Sequence, residues 1–262
     1  MHPRLSLALG ATLFLGLRPA PTIATRTVEY TVGTTVLQSF IAWDSTVNER
    51  RPGVLVVPEW WGLSEHMQQQ AERVAEAGYV SIAVDLFGKG KVAMHPQDAQ
   101  AFVADAMRDP QAFAARFSAA LAQLKQDPHV DTTRIAAIGF CLGGTVALEA
   151  ARAGAPLAGV ASFHGMLGTK TPAQPGQVKA QLLVLTGEAD PFIPADQVEA
   201  FKKEMHAAGV HFDVIVYPGA KHGFTNPDAA TYGMPALAYD PDVARQSWAT
   251  MLDFLKKVFA SR

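Results

Sequence analysis

The sequence predicts an α/β fold in which a mostly parallel central sheet carries helices on both faces. Two observations lead to this prediction. Short apolar runs such as residues 53–58 (GVLVVP) have no polar position, which is typical of strands buried on both faces. These runs alternate with longer segments that carry helix start and stop signals, and this alternation favours parallel strands joined by crossover helices.

The predicted sheet begins with two β-branched runs, residues 25–32 and 36–43, which indicate a hairpin across Gly33-Thr34. Further strands are predicted where apolar runs lie between turn residues, at 53–58, 79–84, 134–139, 156–163, 181–186 and 212–217. Helices are predicted behind start signals such as Pro or Ser, at 64–77, 96–107, 110–126, 142–153, 194–208 and 241–259. Residues 168–176 form a predicted loop within one domain, because the alternation resumes after them.

The N-terminal segment has the order of a secretory signal peptide. Arg4 precedes an uncharged apolar run at 5–17, which is shorter than a bilayer span and is followed by small residues. We expect residues 1–24 to be removed and residues 25–262 to form a periplasmic or secreted domain. A cytoplasmic enzyme with a buried N-terminal segment is the alternative.

The composition excludes several classes of protein and of binding site. A hydrophobic content of 49% over 262 residues supplies a core and excludes intrinsic disorder. The formal net charge of -2 gives no general attraction for nucleic acid, and we expect no stable membrane association once the signal is removed. The single cysteine excludes an internal disulfide and a zinc site built on several thiolates. We expect neither a metal nor an organic cofactor, because no cluster of His and carboxylates has ligand spacing.

Residues 139–144 (GFCLGG) join a predicted strand to a predicted helix and match the nucleophile elbow of the α/β-hydrolase fold. Gly139 and Gly143 remove side chains that would collide in this sharp turn. The following helix directs its first amides towards Cys141, which favours a thiolate and a developing oxyanion. Cys141 is therefore the candidate nucleophile, and a buried unreactive cysteine is the alternative.

Asp190 and His222 each follow the end of a later predicted strand. The carboxyl ends of parallel strands meet at one edge of a sheet, where ligand sites lie. The chain order nucleophile, acid, histidine is that of α/β-hydrolases. We therefore predict that His222 is the base and that Asp190 orients it, although either residue alone would be interpreted as a surface or loop-capping residue.

Glu59, Trp60 and Trp61 follow the predicted strand at 53–58. The backbone N–H of Trp60 is expected to stabilise an oxyanion together with that of Leu142. Trp61 is a candidate wall of the substrate pocket. For Glu59 the alternative interpretation is a solvated loop carboxylate.

Together these residues resemble the dienelactone hydrolase family. The matching segments are PEWWGL at 58–63, DLFGKG at 85–90, GFCLGG at 139–144, the loop at 187–190 and KHGF at 221–224. The resemblance covers about residues 26–260 and implies an α/β-hydrolase fold with Cys141, Asp190 and His222 as the triad. It also implies that Glu59 contacts the cysteine and helps to activate it when substrate arrives.

Two positions depart from the carboxylate-binding pattern of that family. Members that degrade dienelactone hold the substrate carboxylate with two arginines, and this chain has Lys89 and Asn226 at the matching positions. Lys89 can bind an anion only as a point charge, and Asn226 supplies no charge. His164, at the end of another predicted strand, is a further candidate for the substrate pocket, with a structural histidine as the alternative.

The sequence thus predicts a hydrolase that cleaves a small-molecule ester or lactone through a Cys-His-Asp triad and a thioester acyl-enzyme. A broad carboxylesterase or small-peptide hydrolase on the same triad stays open, because the sequence does not define the pocket. A non-catalytic binding or thiol-sensing protein is less favoured, since a sensor usually pairs its reactive thiol with a resolving one.

Overall fold

The structure, a computed structural model, describes residues 20–260 and contains one eight-stranded sheet within them. The strands are Ile23–Val32 (β1), Thr35–Asp44 (β2), Arg51–Val57 (β3), Val80–Ala83 (β4), Val130–Phe140 (β5), Gly159–Phe163 (β6), Gln181–Gly187 (β7) and Phe212–Tyr217 (β8). The helices are Glu65–Glu76 (α1), Pro96–Ala106 (α2), Pro110–Gln126 (α3), Leu142–Arg152 (α4), Ala195–Ala207 (α5) and Pro241–Ala260 (α6). A 3-10 turn spans Ala229–Tyr232.

The strand order is β1-β2-β4-β3-β5-β6-β7-β8. β1 pairs antiparallel with β2, and β2 pairs antiparallel with β4. All other neighbouring strands are parallel. The prediction of a mostly parallel sheet is therefore confirmed, and the carboxyl ends of β3 to β8 lie along one edge.

Helices cover both faces of the sheet, as predicted, and β3 shows why its sequence is apolar throughout. Leu55 and Val57 belong to the core on the side of α3, α4 and α5. Val54 and Val56 belong to the opposite core, which α1 and α6 complete. A strand between two helical layers has no solvent-facing side, so its side chains do not alternate between apolar and polar.

Some boundaries differ from the prediction for a physical reason. β5 begins at Val130, four residues before its predicted start, although residues 131–134 are polar. This extension pairs with Arg51 and Pro52 across a register shift before Gly53. The pairing partner, and not the local hydrophobic pattern, therefore determines where β5 begins.

Most of the predicted signal segment, residues 1–24, lies outside the described residues. Ile23 and Ala24 are described, and they open β1 by pairing with Asp44 and Trp43. Cleavage after Ala24 would therefore remove the first two residues of β1. Within residues 20–260, no helix combines the length and the apolar character needed to cross a membrane.

Candidate active site

Cys141 lies in a sharp turn between β5 and α4, at the N-cap of α4, with φ 51° and ψ −118°. Two glycines make this turn possible. A Cβ atom on Gly143 would lie 2.1 Å from the carbonyl oxygen of Val57, and one on Gly139 would lie 2.2 Å from the carbonyl oxygen of Gly143. Only glycine fits such approaches to backbone. The turn places the thiol at the edge of the sheet, above the N-terminus of α4.

His222 connects the thiol to a carboxylate. Its Nε2 atom lies 3.0 Å from Cys141 Sγ, and its Nδ1 atom lies 2.8 Å from Asp190 Oδ2. Asp190 Oδ1 also accepts a hydrogen bond from the Phe192 amide at 2.9 Å, which holds the carboxylate in place. The structure thus brings the three predicted residues together from the ends of β5, β7 and β8.

The charge of His222 follows from these neighbours. Burial by itself lowers the pKa of the imidazole, but a Cys141 thiolate and the Asp190 carboxylate outweigh it and raise the pKa to about 10. His222 therefore holds its proton near neutral pH when it lies beside a charged sulfur.

Glu59 is buried beside this pair, with 3% of its surface exposed. Asn226 Nδ2 donates a hydrogen bond of 2.6 Å to Glu59 Oε2. Burial raises the pKa of Glu59 to about 7, although the bond from Asn226 and the charge of His222 act to lower it. Among the described residues, no hydrogen bond joins Glu59 to the cysteine: the thiol is paired with His222, and Glu59 is paired with Asn226.

Two backbone N–H groups at the site have no protein acceptor in the described chain. Within the described chain, neither the Trp60 N–H nor the Leu142 N–H donates to another protein group. Leu142 is the first residue of α4, so its amide lies at the positive end of the helix. Both groups remain available to a ligand oxygen, and their role in stabilising an oxyanion stays a prediction.

A small pocket with both polar and apolar lining lies beside Cys141 and His222. Its lining includes Glu59, Trp60, Trp61, Cys141, His222, Gly223, Asn226, Ala229, Tyr232 and Leu237. Trp61 stacks on Tyr232 with ring centroids 3.7 Å apart and an interplanar angle of 9°. The cavity of about 10 Å³ is comparable to the space that one water molecule needs.

The structure does not bring Lys89 to this pocket. Its Nζ atom forms an exposed ion pair of 2.5 Å with Glu29 on the edge strand β1. Glu29 lies on β1 and Cys141 directly follows β5, and these two strands are four positions apart in the sheet, or about 19 Å at ordinary strand spacing. The interpretation of Lys89 as a substrate-binding residue is therefore corrected.

His164 is also corrected as a candidate for the substrate pocket. It is fully buried behind Cys141, and its Nδ1 atom accepts a hydrogen bond from the Cys141 N–H at 3.1 Å. Asn226 does line the pocket, as predicted, but its side-chain amide is engaged by Glu59.

Sequence reasoning missed two residues around His222. Phe192 packs its ring edge-on against the imidazole at 5.0 Å between centroids and is 42% exposed. Its position two residues after Asp190, in the same loop, was a signal that could have identified it. Thr225 contacts His164, and no local pattern marks that contact.

In the described part of the chain, no group of His, Cys, Asp and Glu is arranged to hold a metal ion.

Comparison with known proteins agrees with this geometry. A model of the dienelactone hydrolase family matches residues 37–259. A Methylorubrum extorquens protein with the provisional name carboxymethylenebutenolidase is 32% identical over 79% of this chain and 72% of its own length. A crystal structure of P91, described as a dienelactone hydrolase-like promiscuous phosphotriesterase from metagenomic libraries, is 34% identical with a TM-score of 0.86. The alignment covers 90% of this chain and 99% of that one. Because the family match spans most of the chain and includes every strand end of the site, the chain belongs to the dienelactone hydrolase family and is a hydrolase with the α/β-hydrolase fold.

Proposed function

We propose that the protein hydrolyses neutral carboxylic esters and lactones with Cys141 as nucleophile. The observation that supports this proposal is the hydrogen-bonded series from Cys141 through His222 to Asp190, with distances of 3.0 and 2.8 Å. A nucleophile, a base and an acid that orients the base have this order in enzymes of covalent acyl transfer.

Acylation begins when the Cys141 thiolate attacks the carbonyl carbon of the substrate. The carbonyl oxygen becomes an oxyanion, which the N–H groups of Trp60 and Leu142 stabilise. The tetrahedral intermediate then expels the alkoxide, and the His222 imidazolium gives its Nε2 proton to that oxygen. The products of this step are an alcohol and a thioester on Cys141, while His222 is left neutral.

Deacylation reverses the role of His222. The neutral Nε2 atom takes a proton from water as the water oxygen attacks the thioester carbonyl. The second oxyanion occupies the same two N–H groups and collapses by expelling the thiolate. The acid product leaves, and the pair of thiolate and imidazolium is restored.

The surroundings of the thiol favour a neutral substrate. No lysine or arginine lines the pocket among the described residues. The partner of Lys89 is Glu29, and Asn226 carries no charge. The buried Glu59 would repel a substrate carboxylate whenever it is ionised. An uncharged acyl group against the Trp61 and Tyr232 rings is therefore the better match.

The test is a hydrolysis assay on short neutral aryl esters, a neutral lactone and a carboxylated unsaturated lactone. We expect wild-type protein to hydrolyse the neutral substrates faster than the carboxylated lactone. Cys141→Ala should reduce kcat by about 10³-fold or more, because it removes the nucleophile. Lys89→Ala should leave the ratio of neutral to carboxylated turnover unchanged, since its ammonium lies away from the pocket.

Two results would contradict the proposal. Turnover that survives Cys141→Ala would exclude the cysteine as nucleophile. A preference for the carboxylated lactone would show that the site holds a carboxylate despite the absence of a lysine or arginine from the described pocket.

Export of the protein is a second part of the proposal. It is supported by the order of charged, apolar and small residues over 1–24. Mass spectrometry of fractionated cells tests it: exported protein should lack this segment, with Thr25 as the N-terminus expected from the sequence. Uncleaved protein confined to the cytoplasm would contradict export.

A further inference from the structure

His164 is a fully buried polar residue at the site that the proposed reaction does not use. It follows β6, and its backbone N–H donates to the Leu185 carbonyl at 2.8 Å. Among the described residues other than glycine, only Cys141 and His164 have a positive φ, at 51° and 40°. Such backbone conformations persist where the surrounding structure holds them, and these two are at neighbouring strand ends.

The two ring nitrogens of His164 connect two parts of the site. The Cys141 N–H lies 3.1 Å from Nδ1 and 3.0 Å from the Phe163 carbonyl oxygen. Because a backbone N–H can only donate, Nδ1 is the acceptor and Nε2 carries the ring hydrogen. Nε2 then donates to Thr225 Oγ1 at 2.9 Å. A single neutral tautomer therefore bridges the nucleophile turn and the loop after β8.

The environment keeps this tautomer neutral. Burial lowers the pKa of His164 well below its ordinary value of 6.5, and the charge of His222 lowers it further. The His222 ring packs edge-on against His164 at 4.9 Å between centroids. If Nδ1 were protonated, its N–H would face the Cys141 N–H, and neither group could accept a hydrogen bond. The bond from Cys141 therefore requires the neutral ring.

We propose that His164 is a positioning residue that fixes the Cys141 amide and, through Thr225, the loop carrying His222, so that thiol and imidazole stay in contact. This inference rests on the proposed function for its kinetic consequence. Thr225 lies three residues after His222 and directly before Asn226, which holds Glu59. One imidazole thereby ties the nucleophile to the base and to the residue that holds the buried carboxyl group.

Three variants separate hydrogen bonding from packing. His164→Phe keeps a ring of similar size and removes both bonds. His164→Asn places an amide oxygen near the position of Nδ1 and keeps the acceptor for the Cys141 N–H. Thr225→Val removes the hydroxyl alone. Thr186→Val is the matched control, because it makes the same change at a buried hydroxyl that has no hydrogen-bond partner.

We expect His164→Phe to lower kcat by about tenfold or more, because small misplacements of reacting groups are costly. KM should stay within about twofold, since His164 does not line the pocket. Thr225→Val should show a smaller loss of kcat than His164→Phe. His164→Asn should keep most of the wild-type kcat, because it retains the acceptor for the Cys141 N–H. Thr186→Val should match wild-type protein. Circular dichroism confirms that each variant is folded before the comparison.

Alkylation of Cys141 by iodoacetamide gives a readout that needs no substrate. The alkylation rate as a function of pH reports the fraction of Cys141 that is thiolate. The titratable groups around the thiol are His222, Asp190, Glu59 and, on the far side of His164, His66. In His164→Phe, the midpoint should move upwards by about one pH unit, because the sulfur loses its close contact with the His222 imidazolium. His164→Asn should restore the wild-type midpoint.

The proposal is overturned if His164→Phe keeps the wild-type kcat and alkylation midpoint. It is also overturned if His164→Asn is as impaired as His164→Phe, because ring packing would then explain the loss. If wild-type protein hydrolyses no ester, the proposed function fails, while the alkylation midpoints still decide whether His164 positions the thiol.

Discussion

Burial acts on the Glu59 and His222 side chains with different results. For Glu59 it is the main influence and raises the pKa to about 7. For His222 it acts downwards, but the Cys141 thiolate and Asp190 reverse the outcome and give a pKa of about 10. In the proposed reaction, His222 therefore keeps near neutral pH the proton that the leaving group needs. The charge that changes in this range is that of Glu59.

Glu59→Gln should change how stability depends on pH. The folded-state pKa of about 7 lies above the ordinary value of 4.5, so the Glu59 contribution is fully present below pH 4.5 and is lost as pH rises through 7. The variant lacks this loss and should be more stable than wild-type protein at pH 8.5. The difference is at most about 3 kcal/mol, at 1.36 kcal/mol for each pH unit.

Urea unfolding of both proteins at pH 4.5 and pH 8.5 measures this effect. Glu76→Gln, the same substitution at the exposed end of α1, is the matched control. If Glu59→Gln changed the free energy of unfolding by the same amount at both pH values, the explanation for the Glu59 pKa would be wrong.

At the scale of elements, the turn between β5 and α4 depends on the contact between α4 and β3. Gly143 lies against the backbone of Val57 and Pro58, where a Cβ atom would approach their carbonyl oxygens to 2.1 and 2.6 Å. Backbone cannot move aside as the end of a flexible side chain can. The same approach sets α4 close to Glu59 and Trp60, which follow β3.

Gly143→Ala should therefore lower the free energy of unfolding by about 3 kcal/mol or more, because the new methyl group must displace β3 or α4. Gly168→Ala is the matched control, since a Cβ atom there would meet no atom within 4 Å. Denaturant unfolding compares the two variants. Equal stabilities for the two variants would mean that the elbow tolerates the methyl group.

The elements show where sequence reasoning succeeds and where it stops. Cys141, Asp190 and His222 could be selected as candidates because each lies in the turn or loop that follows a predicted strand, which is a local signal. The start of β5 was not, since Asp131 and its polar neighbours become a strand only through pairing with β3. The bond between His164 and the Cys141 amide depends on a left-handed backbone and on tertiary contact, which no local pattern encodes.

At the scale of the whole molecule, strand order decides which strand ends share a site. The ends of β3, β5, β6, β7 and β8 are consecutive neighbours, and they bring Glu59, Cys141 and His222 to one edge. Lys89 follows β4 and extends towards β1, on the other side of β3. The sequence predicted the strands but not this long-range order. Lys89 was a candidate because it matches a family arginine, and its side chain pairs with Glu29 on β1 instead.

Two segments that are far apart in the sequence line the pocket and meet across it. Trp61 follows β3, whereas Tyr232 ends the 3-10 turn after β8, and their stacked rings leave space for about one water molecule. In the proposed reaction, an ester at Cys141 therefore lies next to the two rings. The contact joins the halves of the pocket without involving the hydrogen bonds to Cys141.

Tyr232→Ala should change substrate choice more than chemistry. Removing the ring opens the pocket beside Trp61, so kcat/KM for a bulky neutral aryl ester should rise by about tenfold relative to that for a short one. Tyr232→Phe keeps the stacking and is the control, and its ratio should match that of wild-type protein. Steady-state kinetics with the two esters measures both ratios. An unchanged ratio in Tyr232→Ala would mean that the stacked rings do not limit access to Cys141, whereas a changed ratio in Tyr232→Phe would assign the effect to the hydroxyl group.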